Sequence, residues 1–197
     1  MDRGNPEDTA TAMSVVRVLL LPGWLDSGPG HWQTLWQQQH GWERVVQADW
    51  LWPRRGDWMA RLDEALLGPP PTGADERPVL LVAHSLGCHL VAAWAAHSCH
   101  TDRVRAALLV APPDTERDDV PPQLSGWRPM VRSRLPFRSH VIYSDGDPYG
   151  AADVARALAA GWGSSAESAG PCGHINAESG LGSWSLGLRR LAQLGQP

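Results

Sequence analysis

The sequence predicts an α/β domain with about six mostly parallel strands in one sheet and helices on both faces. Three observations carry this reading. Aliphatic and β-branched runs alternate with segments whose apolar residues recur at helical spacing. Six such strand-then-helix units follow one another along the chain. Most runs stop at glycine, proline or a polar cluster. A parallel sheet built this way buries both faces under its right-handed crossovers.

Each element has its own signal. Residues 15–21, VVRVLLL, read as a buried strand ending at Pro22-Gly23, and Trp32, Leu35 and Trp36 give the next segment a helical stripe. Val45 and Val46 mark a short second strand, and Trp58, Leu62, Ala65 and Leu66 mark a second helix. GPPPTG at 68–73 is a break, because proline lacks an amide donor and resists helix continuation. Residues 79–83 form a third strand, followed by a helix carrying Leu90, Val91, Trp94 and Ala95. Residues 104–111 form the fourth, closed by Pro112-Pro113, and 114–136 lack any sustained period and read as a long surface loop. Strands at 141–143 and, more weakly, 165–169 are each followed by a helix, at 151–160 and 186–194.

Composition narrows the function classes. A chain of 197 residues, 43% hydrophobic and 19% charged, has the size and apolar content of one folded domain, here 14–197, after a flexible polar tail at 1–13. That tail contains acids and matches neither a secretory nor a transit peptide. The apolar run at 15–21 is broken by Arg17 and is far too short for a bilayer span, so the reading is a cytoplasmic protein without a membrane partner. A net charge of -4 with no basic cluster argues against nucleic acid. All 17 basic residues are arginines, which excludes Schiff-base lysine chemistry. Three cysteines, Cys88, Cys99 and Cys172, do not make a disulfide framework and fit a reducing compartment. Oligomeric state is left open.

In parallel sheets of this kind, ligands bind at the carboxyl ends of the strands, so the residues just after each strand are the ones to inspect. After the third strand comes Ala83-His84-Ser85-Leu86-Gly87. A serine on a sharp strand-to-helix turn has its hydroxyl exposed, and the crowded turn wants small residues two positions either side, here Ala83 and Gly87. The reading is a nucleophile elbow with the Leu86 amide facing a developing oxyanion. The alternative is a plain helix cap, a role serine fills often.

Serine needs a base oriented by a carboxylate, in chain order serine, acid, histidine for this arrangement. Ser144-Asp145-Gly146-Asp147-Pro148 follows the fifth strand and Gly170-Pro171-Cys172-Gly173-His174 follows the sixth. Asp147 and His174 are the candidates, with Asp145 as the alternative acid and the glycine-rich loop as a flexible presenter of His174. Pro22-Gly23-Trp24 ends the first strand, so the Trp24 amide is the candidate second oxyanion donor; the alternative is an ordinary Pro-Gly turn. His84, His89, His97 and His100 read as packing or helix-surface residues. The His97-Ser98-Cys99-His100 and Cys172-Gly173-His174 stretches lack paired metal-ligand spacing, so no metal is expected, and Cys88 reads as a small buried packer.

With these residues in view, the chain resembles the small serine hydrolases typified by retinoblastoma-binding protein nine and the bacterial YdeN proteins, over about residues 15–188. The resemblance rests on LPGWLDSGPGHWQTLW at 21–36, ADWLWP at 48–53 with Trp58, AHSLGC at 83–88, the loop at 120–137, SDGDPY at 144–149 and, above all, GHINAESGLGSW at 173–184. Departures are Ala83 in place of glycine, Asp145 where another polar residue is common, and a polar sixth strand. The resemblance implies a compact α/β-hydrolase fold without a large cap domain, with Ser85 as nucleophile, Asp147 as acid and His174 as base. The expected activity is cleavage of small acyl esters or amides through an acyl-Ser85 intermediate, on a small-molecule substrate and without a metal or organic cofactor. A catalytically weak interaction module and an acyltransferase are the alternatives. Eleven tryptophans are many for this length. Trp24, Trp32, Trp50, Trp52 and Trp184 fall near the expected site face, and Trp24, His84 and Trp184 are the pocket candidates; core packing is the competing role for about half of these indoles.

Overall fold

A computed structural model describes residues 16–68 and 77–196; the 1–13 tail, Val15 and most of the 68–73 break lie outside the described residues. Six strands form one all-parallel sheet in the order β2-β1-β3-β4-β5-β6, with β1 at Arg17–Leu21, β2 at Glu43–Arg44, β3 at Val79–His84, β4 at Val104–Val110, β5 at Arg138–Tyr143 and β6 at Ser165–Ser168. The helices are α1 at Trp32–His40, α2 at Arg55–Leu67, α3 at Leu86–Ala95, α4 at Ala152–Trp162 and α5 at Ser185–Gly195.

The side-chain alternation of a strand sorts the core into two layers. Leu19, Leu21, Leu81, Ala83 and Leu109 point to one face, where α2, α3 and α4 cover them. Leu20, Leu80, Val82, Leu108 and Ile142 point to the other, beneath α1 and α5. β3 is buried at all six positions because both its faces are covered. It lies between β1 and β4, with Leu21 opposite Ala83 and His84 opposite Val110, so its carboxyl end is the centre of the sheet's upper edge.

Two expectations are corrected. The second strand pairs at Glu43–Arg44 rather than at Val45 and Val46. Arg17 bonds Glu43, and Arg44 bonds Asp26, Gln37 and Thr34, which fixes the register on polar residues that carry no strand signal. Val45 goes into the core, and its amide still donates to the Leu20 carbonyl; Val46 is exposed. The 114–136 segment is not a surface loop throughout. It contains a 3-10 turn at Pro122–Trp127 and buries Leu124, Trp127, Met130 and Leu135 against the α2–α4 layer.

Candidate active site

Close backbone packing builds the elbow. Ser85 joins β3 to α3 at φ 54 and ψ -125, a conformation that non-glycine residues rarely adopt and that lifts its side chain off the turn. A Cβ on Gly87 would sit 2.3 Å from the Leu21 carbonyl oxygen, so only glycine allows α3 to start against the end of β1. A Cβ on Gly23 would sit 2.6 Å from the Ser85 Cβ, so the loop after β1 passes directly beside the serine. Ala83, fully buried and paired with Leu21, fits without a glycine. The Ser85 side chain makes no cap bond to α3, which removes the helix-cap alternative.

The Ser85 hydroxyl instead lies 2.8 Å from Nε2 of His174. Nδ1 of the same ring lies 2.8 Å and 2.9 Å from the two carboxylate oxygens of Asp147, whose side chain is only 3% exposed. Three loops far apart in the chain thus bring a hydroxyl, an imidazole and a carboxylate into one series. Asp145 stands exposed in the same turn with its amide bonded to Gly170, away from the ring. Ser144, fully buried, explains the separation. Its hydroxyl donates to the Gly170 carbonyl and accepts from the Cys172 amide, tying the acid loop to the base loop.

The loop carrying His174 is held, not flexible as its glycines suggest. His84 Nε2 bonds the His174 carbonyl at 2.9 Å, the Trp32 indole donates to the Ile175 carbonyl at 2.8 Å, and Ser179 donates to the Cys172 carbonyl at 2.6 Å. Ile175 is fully buried at φ 49, a left-handed position that a β-branched residue occupies only under such constraint.

A cavity of about 560 Å3 opens over these groups at the carboxyl edge of the sheet. Trp24, Leu25, Val120 and Leu124 supply apolar wall; Asp114, Arg117, Asp119 and Glu178 supply polar lining. Trp24 and His84 line it, as the sequence suggests. Trp184 does not: it is 5% exposed, packs tilted against Trp32 and stacks on Trp36 in the α1–α5 layer. Trp32 is likewise core, Trp50 packs on Trp58, and Trp52 is exposed, so of the five tryptophans assigned to the site face only Trp24 borders the cavity.

Two cavity residues escape the sequence reading. Tyr149 packs edge-on against the His174 ring at 4.6 Å between centroids. His31 caps α1 by accepting the Gln33 amide at Nδ1, and its ring stands 4.6 Å from that of His84. Burial, then the charges of Arg44 and His174, push the His31 pKa down to about 3. Burial also drives His84 well below the ordinary histidine range. The Cys88 thiol is pushed strongly up by burial, which leaves it inert as a second nucleophile. Among the described residues no cluster of three metal-ligating side chains occurs, and no helix is long and apolar enough to cross a membrane.

Residues 18–193 match the serine hydrolase family. The chain belongs to that family. Among solved structures, the protein of Pectobacterium atrosepticum described as a YdeN-like hydrolase is 27% identical, with 95% of this chain and 97% of that one covered at a TM-score of 0.79. The ydeN product of Bacillus subtilis is 20% identical, with 91% and 97% covered and a TM-score of 0.65. A protein of Xanthomonas campestris described as a hydrolase of the α/β superfamily is 18% identical, with 91% and 95% covered at 0.53. The last two share the fold. No curated protein sequence matches the chain. The serine hydrolase family therefore fixes the general class of the chain, and the coverage leaves no room in the match for a large cap domain.

Proposed function

We propose that this serine hydrolase cleaves small acyl esters or amides through an acyl-Ser85 intermediate. The observation that carries the reading is the unbroken series Ser85 Oγ, His174 ring, Asp147 carboxylate, with both links at 2.8 Å. His174 Nε2 takes the hydroxyl proton as Oγ attacks the substrate carbonyl. Asp147 accepts the Nδ1 hydrogen, holds the tautomer and stabilises the imidazolium. The tetrahedral oxyanion is met by the amides of Leu86 and Trp24. Leu86 is the first residue of α3 and has no intrahelical acceptor for its N–H, and Trp24 follows Gly23 where the loop abuts the serine. Collapse breaks the bond to the leaving group, which receives the proton from His174. Water, deprotonated by the same nitrogen, then releases the acid and regenerates Ser85.

The mostly apolar cavity suits a small uncharged acyl group better than a macromolecule. Stopped-flow hydrolysis of p-nitrophenyl acetate tests the reading. A burst of p-nitrophenol equal to the enzyme concentration, absent in Ser85→Ala, is expected; turnover without any dependence on Ser85 would contradict it.

A further inference from the structure

His84 is the residue just before the nucleophile, and its ring is turned away from solvent, 5% exposed. Its Nε2 lies 2.9 Å from the carbonyl oxygen of His174, ninety residues further along the chain. A carbonyl only accepts, so Nε2 carries the hydrogen and donates it. We infer that His84 is a positioning residue, whose Nε2–H clamps the loop that presents His174 to the strand end that presents Ser85. The inference rests on the hydrolase reading above, in which His174 is the base.

The clamp matters because of what it spans. Ser85 and His174 sit on separate loops, and their reactive atoms must stay within hydrogen-bond reach through the whole cycle. The His84 bond joins the two loops by a path of one side chain, next to the nucleophile on one side and on the backbone of the base itself on the other. The Trp32 and Ser179 bonds hold the flanks of the same loop, at Ile175 and Cys172. They preserve its course when His84 is changed, and the Ile175 amide donates to the Cys172 carbonyl at 3.2 Å, but the His174 carbonyl is tied to the strand end of Ser85 through His84. A displacement of about 1 Å at a reacting group is enough to lower turnover about a hundredfold.

The surroundings of His84 keep it a donor without making it a cation. Two titratable groups face it, His174 at 4.9 Å and His31 at 4.6 Å between ring centroids, with Trp32 at 6.0 Å. His31 has its Nδ1 committed to the Gln33 amide and stays neutral, so it buttresses the His84 ring without adding charge. Tyr149 packs edge-on against the His174 ring. The imidazole that must become positive during turnover therefore neighbours a neutral His84, where a protonated His84 would repel it.

Two variants separate the donor from the ring. His84→Phe keeps a flat apolar ring and deletes the donor; His84→Gln keeps an amide donor at a comparable reach. With p-nitrophenyl acetate, His84→Phe is expected to lose about a hundredfold in kcat, with KM changed less than about twofold and the acidic limb of the kcat/KM profile moved. His84→Gln is expected to recover most of the loss and the wild-type pH limb. A His84→Phe enzyme with wild-type kcat and pH profile would overturn the inference, as would a folded His84→Gln enzyme no better than His84→Phe. Long-range nitrogen–proton NMR on the wild-type protein needs no variant to fold. It should show the His84 hydrogen on Nε2 at the pH of the assay, and a neutral ring protonated on Nδ1 instead would refute the clamp. Fluorophosphonate labelling of wild-type Ser85 distinguishes the two failures. Labelled protein with an indifferent His84 sinks only the clamp, whereas unlabelled folded protein sinks the hydrolase reading beneath it.

Discussion

The floor and the outer wall of the cavity are built in opposite ways. On the floor, His174, His84 and the Asp147 side chain are almost wholly buried, each polar contact is short, and two backbones, at Ser85 and Ile175, are held in left-handed conformations. On the wall, Arg117 and Asp119 face solvent and pair with each other, and Tyr149 is 55% exposed. Buried, strained and cross-bonded groups give a fixed geometry; exposed ion pairs contribute little rigidity. The floor is thus suited to chemistry that tolerates no displacement, and the wall to recognition that can adapt. Substitutions on the floor should act on kcat and those on the wall on KM.

The largest effect belongs to Ser85→Ala, expected to lower kcat about a millionfold without loss of fold, since Oγ makes no cap bond. Asp147→Asn should follow at about ten-thousandfold, because the amide favours the wrong tautomer of His174. Asp145→Asn, two residues away in the same turn and exposed, should stay within about twofold; equal losses in the two variants would show that the floor is not built as described.

Burial of the histidines predicts a pH effect on stability that activity assays would miss. His31 stays neutral in the folded chain down to about pH 3, whereas the unfolded chain takes up a proton near 6.5. The unfolded state then binds more protons, so stability is full above about pH 6.5 and falls as the pH drops. For His31 the loss is about 2 kcal/mol by pH 5, and His84 adds to it in the same direction. Urea unfolding at pH 7 and pH 5 measures this, and His31→Asn, which keeps a capping acceptor but does not titrate, should flatten the dependence. Equal stability at the two pH values would contradict the buried neutral rings. The smallest effect is expected on the wall, where Arg117→Ala should raise KM by less than about threefold with kcat unchanged.

The sequence carried the centre of the sheet better than its margins. β1, β3 and β4 announce themselves because strands covered on both faces are mostly aliphatic. β2 and β6 lie at the edges, where backbone pairing and polar side-chain bonds hold Glu43–Arg44 and the polar Ser165–Ser168 in the ladder, so their residues carry little strand signal. The same logic divides the site. Ser85 and His174 are legible from their places at strand ends, in order. Pro148 and the helix after it favour Asp147 over Asp145 in the sequence, whereas the anchoring of that loop by Ser144 to Gly170 and Cys172 is not legible there. Trp184 lies ten residues from His174 in the chain, yet its indole packs into the layer beneath α1; proximity in sequence was a poor guide to which way a large side chain points. His31 was hidden because a histidine at a helix start looks like surface, whereas here its ring is inserted beside His84.

The most direct test of the central claim is labelling with a fluorophosphonate at neutral pH, with the modified peptide located by mass spectrometry. A single adduct on Ser85, lost in Ser85→Ala and slowed severely in His174→Ala, is the predicted result. Folded protein that takes up no probe, or takes it up at another residue, would contradict the account.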